Sequence, residues 1–291
     1  MNRSPSPYAN ALAHLEYRAY RESALPLNPL CGSFALTHGR RTARCVLLLH
    51  GYTNCPHQFR RFAEELHSRG HTVYVPRMPH HGMADRMSEA LAQFSRAELL
   101  ASFALSLEIA HGLGERVDLL GLSAGANLAA YAAQYRSDIH QAVLISPVLG
   151  SSKIHPWLTS FIALTSSILP NRFVWWDPEL LDQGHTMQHT YPRFGSRALG
   201  IVAQLGLEVL AAARYAPHRA RDLVVVANAF DEAVTMPPIE RLIARWRAQA
   251  APVRDYCFPI EQQVIHDLID PHQELQQIDL VYPKLLELMG A

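Results

Sequence analysis

The chain of 291 residues has little cysteine, no excess charge of either sign and no long uninterrupted apolar run. Its four cysteines, Cys31, Cys45, Cys55 and Cys257, show neither C-x-x-C spacing nor paired clusters. This reads as reduced thiols in a cytoplasmic protein; the even count leaves two disulfides formally possible, but nothing in the spacing favours them. Lys plus Arg and Asp plus Glu are equal at 26 each. Without a basic stripe there is no electrostatic footprint for nucleic acid and no bulk-charge attraction to an anionic membrane. The polar, proline-broken start at residues 1–7 lacks the apolar core of a secretory signal. The apolar runs are too short or too interrupted to span a bilayer, so stable membrane insertion is not expected. Internal repeats and low-complexity tracts are also lacking.

What is present is the rhythm of an α/β protein of a size that buries a large core. Residues 8–23 have helical spacing, and 24–32 form a proline-containing connector. Strands are expected at 33–37 and 43–49, joined by a turn at 38–41. The run Cys45-Val46-Leu47-Leu48-Leu49 is continuously apolar, as a strand buried on both faces of a parallel sheet must be. A helix over 56–69 stopped by Gly70, a strand at 72–76, a helical segment over 88–111 and a strand at 117–120 follow. A helix at 124–135 and a strand at 141–146 complete a strand–helix alternation that predicts βαβ units and a mostly parallel sheet. From 151 to 219 the alternation breaks into apolar helical stretches, 156–169 and 198–215, around an aromatic loop. It returns with a strand at 223–227, a helix at 237–250, a strand at 253–258 and a helix over 271–289 that contains Pro283. The organisation is a core over 1–150, with an N-terminal extension over 1–32, a helical cap insertion over 151–219, and a second core part over 220–291.

One pentapeptide carries chemistry. Gly121-Leu122-Ser123-Ala124-Gly125 lies between an expected strand and an expected helix, which is the setting of a nucleophile elbow. A serine hydroxyl needs a base to take its proton, normally a histidine steadied by a buried carboxylate. In α/β-hydrolases the three occur in the order Ser, acid, His. Asp231 follows the strand ending at Ala227, and His266 follows the strand ending near Phe258. Glu232, Asp267 and Asp270 are nearby rivals for the acid, whereas Asp222 lies at the wrong end of its strand. Two backbone donors must face a developing oxyanion. The amide of Ala124, at the positive end of a helix, is one. The amide of Tyr52, in His50-Gly51-Tyr52-Thr53-Asn54, is the other, with a plain strand-end turn as the competing reading of that loop. His50 and Gly51 are candidates for substrate contact. Trp157, Trp175 and Trp176 either line an apolar acyl pocket or pack the insertion. His80-His81 with Asp85 matches neither H-x-H-x-D-H nor H-E-x-x-H, so no metal or other cofactor is expected.

The segments His50-Gly51-Tyr52-Thr53, Pro76-Arg77-Met78-Pro79-His80-His81-Gly82 and Gly121-Leu122-Ser123-Ala124-Gly125 together resemble the α/β-hydrolase superfamily, nearest its carboxylesterase and monoacylglycerol-lipase branch. The resemblance covers 43–150 and, more loosely, 220–270. It departs at Asn228-Ala229-Phe230, where members often carry a glycine before the acid. It implies Ser123 as nucleophile, Asp231 as acid, His266 as base, and Tyr52 and Ala124 as oxyanion donors. It also implies a small-molecule ester as substrate. Amide or carbon–carbon bond hydrolysis, acyl transfer, and a non-catalytic binding role on the same scaffold remain alternatives at this point.

Overall fold

The computed structural model describes residues 6–150, 163, 165, 168–176 and 187–291. Its main sheet has seven strands: β1 (Phe34–Leu36), β2 (Thr42–Leu49), β3 (Thr72–Val75), β4 (Gly114–Leu122), β5 (Gln141–Ile145), β8 (Asp222–Asn228) and β9 (Arg254–Phe258). Their spatial order is β1-β3-β2-β4-β5-β8-β9. Only β1 runs antiparallel, against β3; every other pairing is parallel. A separate ribbon pairs β6 (Phe173–Trp175) with β7 (Arg193–Gly195).

The alternation along β2 explains the layering. Cys45, Leu47 and Leu49 face one buried cluster, and Val46 and Leu48 face the other. The first cluster takes in the apolar sides of α3 (Arg96–Leu113), α4 (Ala124–Tyr135), α5 (Ser196–Ala212) and α6 (Met236–Ala248). The second is built from α2 (Arg60–Ser68) and α7 (Ile278–Met289), through Phe62, Leu66, Val281 and Leu285. Helix α1 (Pro7–Ser23) lies outside α3. A Cβ on Gly112 of α3 would fall 2.6 Å from both Ala11 Cβ and the Pro7 carbonyl oxygen, so the absent side chain sets this close approach. Helix α5, expected within the insertion, packs against α4 over the sheet.

Several expectations need correction. The helix expected over 88–111 is broken: a short 3₁₀ turn covers Ala90–Gln93, and α3 starts afresh after Ser95, whose hydroxyl accepts the Glu98 N–H. The last helix begins at Ile278, not 271. Residues 270–276 form turns instead, with the Asp270 carboxylate accepting the His272 N–H and the Asp270 carbonyl accepting that of Gln273. The ribbon β6–β7 has no counterpart among the expected strands. The expected helix over 156–169 lies largely outside the described residues, as does Trp157. Cys31 and Cys55 form a disulfide, their Cα atoms 5.3 Å apart. The expectation of four reduced thiols is therefore wrong, and the cytoplasmic setting inferred from it loses its basis. Contact between residues from the post-α1 connector and from the loop after β2 is a tertiary event that spacing does not encode. Cys45 and Cys257 are free. Among the described residues, no helix is long and apolar enough to cross a membrane.

Candidate active site

Parallel strands all deliver their following loops to one edge of the sheet, which is where open α/β sheets bind ligands. Leu122, Ile145, Val226 and Tyr256 are in lateral register across β4, β5, β8 and β9. Ser123, Asp231 and His266 therefore leave from one rim.

Ser123 is the hinge between β4 and α4, with φ 57° and ψ −112°. A non-glycine residue in that region stores roughly 1–3 kcal/mol of strain. The two glycines make the turn possible by removing bulk. A Cβ on Gly121 would fall 2.2 Å from the Gly125 carbonyl oxygen, and one on Gly125 would fall 1.9 Å from that of Leu49. The Ser123 amide is anchored on the Ile145 carbonyl at 2.8 Å, and its own carbonyl accepts from Asn127.

The loop after β2 lies against this elbow: a Cβ on Gly51 would sit 3.8 Å from Ser123 Cβ. The loop is held from within. Gly51 N–H donates to Gln58 Oε1 at 2.8 Å, and Thr53 takes a positive φ of 65°. Two amides are left over. Among the described residues neither the Tyr52 nor the Ala124 N–H has an acceptor.

His50 is placed differently from its expected contact with substrate. It is wholly buried. Nε2 accepts the Met78 N–H at 3.0 Å, and Nδ1 lies 2.9 Å from the Gly51 carbonyl oxygen. The ring is thus a neutral Nδ1–H tautomer bridging two rim loops. Burial pushes its pKa down to about 4, against a smaller upward pull from the Gly51 carbonyl. His50 shapes the loop that carries Tyr52.

On the far side of the rim, His266 Nδ1 lies 2.8 Å from Asp231 Oδ2. The other carboxylate oxygen of Asp231 accepts the Ala233 and Val234 amides at 2.9 and 3.0 Å. One oxygen is thus locked by backbone and the other turned to the imidazole. Asp231, not Glu232, meets the ring. Burial raises the Asp231 carboxyl, but the His266 contact and the amides outweigh it, and the net shift is downward. For His266, burial disfavours the charged ring, yet the hydrogen bond and charge of Asp231 prevail and the net shift is upward. The rival Asp267 faces away, accepting from Asn54 Nδ2 at 3.1 Å and Gln273 Nε2 at 2.9 Å. Burial, then repulsion from Asp270, pushes its carboxyl up. The Asn54 contact joins the histidine-bearing loop to the loop that touches Ser123. Ser123 Oγ itself makes no side-chain hydrogen bond among the described residues.

Residues 173–176 and 187–195 approach the rim through Tyr52 and Thr53. Trp176 Nε1 donates to Thr53 Oγ1 at 2.8 Å, and Tyr52 OH donates to the Gly195 carbonyl at 2.9 Å. The Trp176 and Phe194 rings are 4.2 Å apart, with Tyr52 edge-on to both. Trp175 sits opposite Arg193 in the ribbon.

His80 and His81 do not gather a metal site with Asp85. His80 pairs with Glu98 at 2.8 Å, whereas His81 is buried with Nδ1 2.9 Å from the Pro79 carbonyl oxygen. Three other histidines, His57, His189 and His272, do come together. Sequence reasoning missed them because they come from three distant segments.

A mostly parallel seven-stranded sheet, with a serine elbow after a central strand and an Asp–His pair after the last two, defines the α/β-hydrolase class of fold. The profile of the Alpha/beta hydrolase family matches residues 46–270, and the chain belongs to that family. It is 31% identical over 118 residues to the thermostable monoacylglycerol lipase of Bacillus sp. strain H-257, a match covering 39% of this chain and 44% of that enzyme. The match thus spans less than half of the relative's length. A structure of the metagenome-derived lipolytic enzymes LipS and LipT superposes with a TM-score of 0.69 at 16% identity, over 91% of this chain and 99% of that one. The monoacylglycerol lipase of Paleococcus ferrophilus gives 0.64 at 17% identity, over 88% and 98%. At these identities the structural likeness speaks for the fold.

Proposed function

We propose that the protein is a serine hydrolase of carboxylic esters with lipophilic or acyl-chain substrates, of the monoacylglycerol or lysophospholipid kind. The observation that carries the reading is the Asp231–His266 pair at 2.8 Å on the same rim as the strained Ser123. Ser123 Oγ attacks the ester carbonyl while His266 Nε2 takes its proton. Asp231 holds Nδ1–H and favours the imidazolium that results. The amides of Tyr52 and Ala124, which have no acceptor among the described residues, receive the oxyanion. The imidazolium then protonates the departing alcohol, leaving an acyl group on Ser123. A water deprotonated by the same ring releases the acid. In a free enzyme the serine–histidine contact is often long and closes only around substrate, which fits a Ser123 hydroxyl that has no side-chain hydrogen bond among the described residues.

The lipophilic preference rests on the aromatic surface of Trp176, Phe194 and Tyr52 beside the oxyanion loop, taken as part of a cap over 151–219. The monoacylglycerol-lipase relatives point the same way. An ester chain-length panel with wild type and Ser123→Ala tests the reading. Turnover should rise from acetyl to medium and long acyl chains and vanish in the variant; a strict preference for acetyl esters would overturn the substrate assignment.

A further inference from the structure

Outside the Ser123 rim, His57, His189 and His272 each present a ring nitrogen within 4.8 Å of the other two. They come from the 3₁₀ turn after the oxyanion loop, from the segment leading into β7, and from the turns that follow His266. The ring centroids are 4.8, 5.0 and 5.5 Å apart. Between two of them lies the wholly buried Asp270, 2.6 Å from His189 Nε2 and 3.0 Å from His272 Nδ1. We propose that His57, His189 and His272 bind a divalent first-row transition metal, with Asp270 as the carboxylate that orients two of the three imidazoles.

The donor chemistry fits. Asp270 takes the Nε2–H of His189 and the Nδ1–H of His272, so each ring keeps its opposite nitrogen as a lone-pair donor. A carboxylate behind the histidine is the usual outer partner of a metal-bound imidazole. His57 has no hydrogen bond at its ring among the described residues. In a tetrahedral site with metal–nitrogen bonds of about 2.0–2.1 Å, ligand nitrogens are about 3.4 Å apart. Separations of up to 4.8 Å reach this by movements of under about 1 Å at each ring. Three imidazoles suit zinc, copper, nickel or cobalt rather than calcium or magnesium.

The surroundings give the metal a purpose. Cys55 of the disulfide is two residues before His57, and Cys31 Sγ lies 3.6 Å from the His189 carbonyl oxygen. The Tyr191 N–H donates to the Thr53 carbonyl at 2.8 Å. An ion here fastens the segment entering β7 to the oxyanion loop and to the loop that bears His266. It acts as a strap beside the candidate active site and is not a participant in its chemistry. The proposal does not depend on the hydrolase reading.

The test uses full-length protein without a histidine tag, stripped with chelator and titrated with Zn²⁺ by calorimetry and with Co²⁺ by visible absorption. One equivalent of Zn²⁺ should bind and raise Tm, and Co²⁺ should give the ligand-field bands of a nitrogen-rich site. His57→Ala and His272→Gln should each weaken binding at least tenfold with metal-free Tm little changed, since His272 is exposed and His57 only partly buried. Ser123→Ala should bind as wild type. Absence of a one-to-one site in wild type, or unchanged affinity in both histidine variants, would overturn the proposal.

Discussion

Asp231 sits under three constraints at once: two amides hold one oxygen, and an imidazole holds the other. Replacing it with Asn preserves shape but removes the charge that favours the imidazolium. In Asp231→Asn, kcat should fall by about 10⁴, the scale seen when a triad carboxylate is neutralised in this way. A pH profile separates this loss from misfolding. The reactive ring must be neutral, and its pKa is raised above 6.5 in the wild type. The acid limb of kcat/KM should therefore have its midpoint above 6.5, activity rising with pH through it. In Asp231→Asn the upward pull is lost while burial remains, so the limb should move to lower pH. An unchanged limb would mean that another group is titrating. At this scale the sequence was most readable where the signal is local. Gly121 to Gly125 announces a turn because its two glycines answer clashes within a few residues. Asp231 and His266 could be picked out because strand order dictates which loops meet. His50 could not be placed correctly: its two hydrogen bonds run to Met78 and Gly51, and nothing in His-Gly foretells the first of them.

Trp176 and Gly195, at the ends of the ribbon β6–β7, are joined to the loop after β2 by two hydrogen bonds and a cluster of rings. Trp176→Ala should remove an apolar wall and the hold on Thr53. The expected result is a drop of about tenfold in kcat/KM for long-chain esters relative to short-chain ones, the scale of lost apolar contact, measured on the same chain-length panel. At the opposite edge of the sheet, Arg44 of β2 pairs with the fully buried Asp118 of β4 and also donates to the Met289 carbonyl. His140 adds a contact to Asp118 at 3.0 Å. Removing one partner strands a buried charge, so Asp118→Ala should cost about 3–5 kcal/mol in denaturant unfolding, with kcat/KM for esters unchanged in the folded state. The elements were legible where periodicity is long and uniform, as in β2 and α4. The break before α3 is marked by Ser95-Arg96-Ala97-Glu98, a capping-box pattern whose local signal is masked by the continuous apolar spacing on either side. Strands of three residues such as β6 and β7 carry too few alternations to show.

For the molecule as a whole, the N-terminal extension is part of the scaffold. Glu22 on α1 accepts from Ser33 N–H and Oγ–H at 2.7 Å and pairs with Arg77 at 3.4 Å, on the loop after β3. The disulfide continues this link from Cys31 to Cys55, across a sequence separation of 24. On loop-entropy grounds it should contribute about 3 kcal/mol. Cys31→Ser, or reduction of the wild type, should lower the denaturation midpoint accordingly; no change on reduction would show that the bond does not form. Neither this link nor the His57, His189 and His272 cluster could be read from the chain, because both exist only once distant loops have been brought to the same rim.

The central claim is that Ser123 is a nucleophile activated by His266. The most direct measurement is fluorophosphonate labelling of the native protein, with the modified residue located by mass spectrometry and the rate compared in His266→Ala. The account predicts one adduct, on Ser123, forming at least about a hundredfold more slowly in the variant. An adduct elsewhere, no adduct on folded wild-type protein, or a labelling rate indifferent to His266 would contradict it.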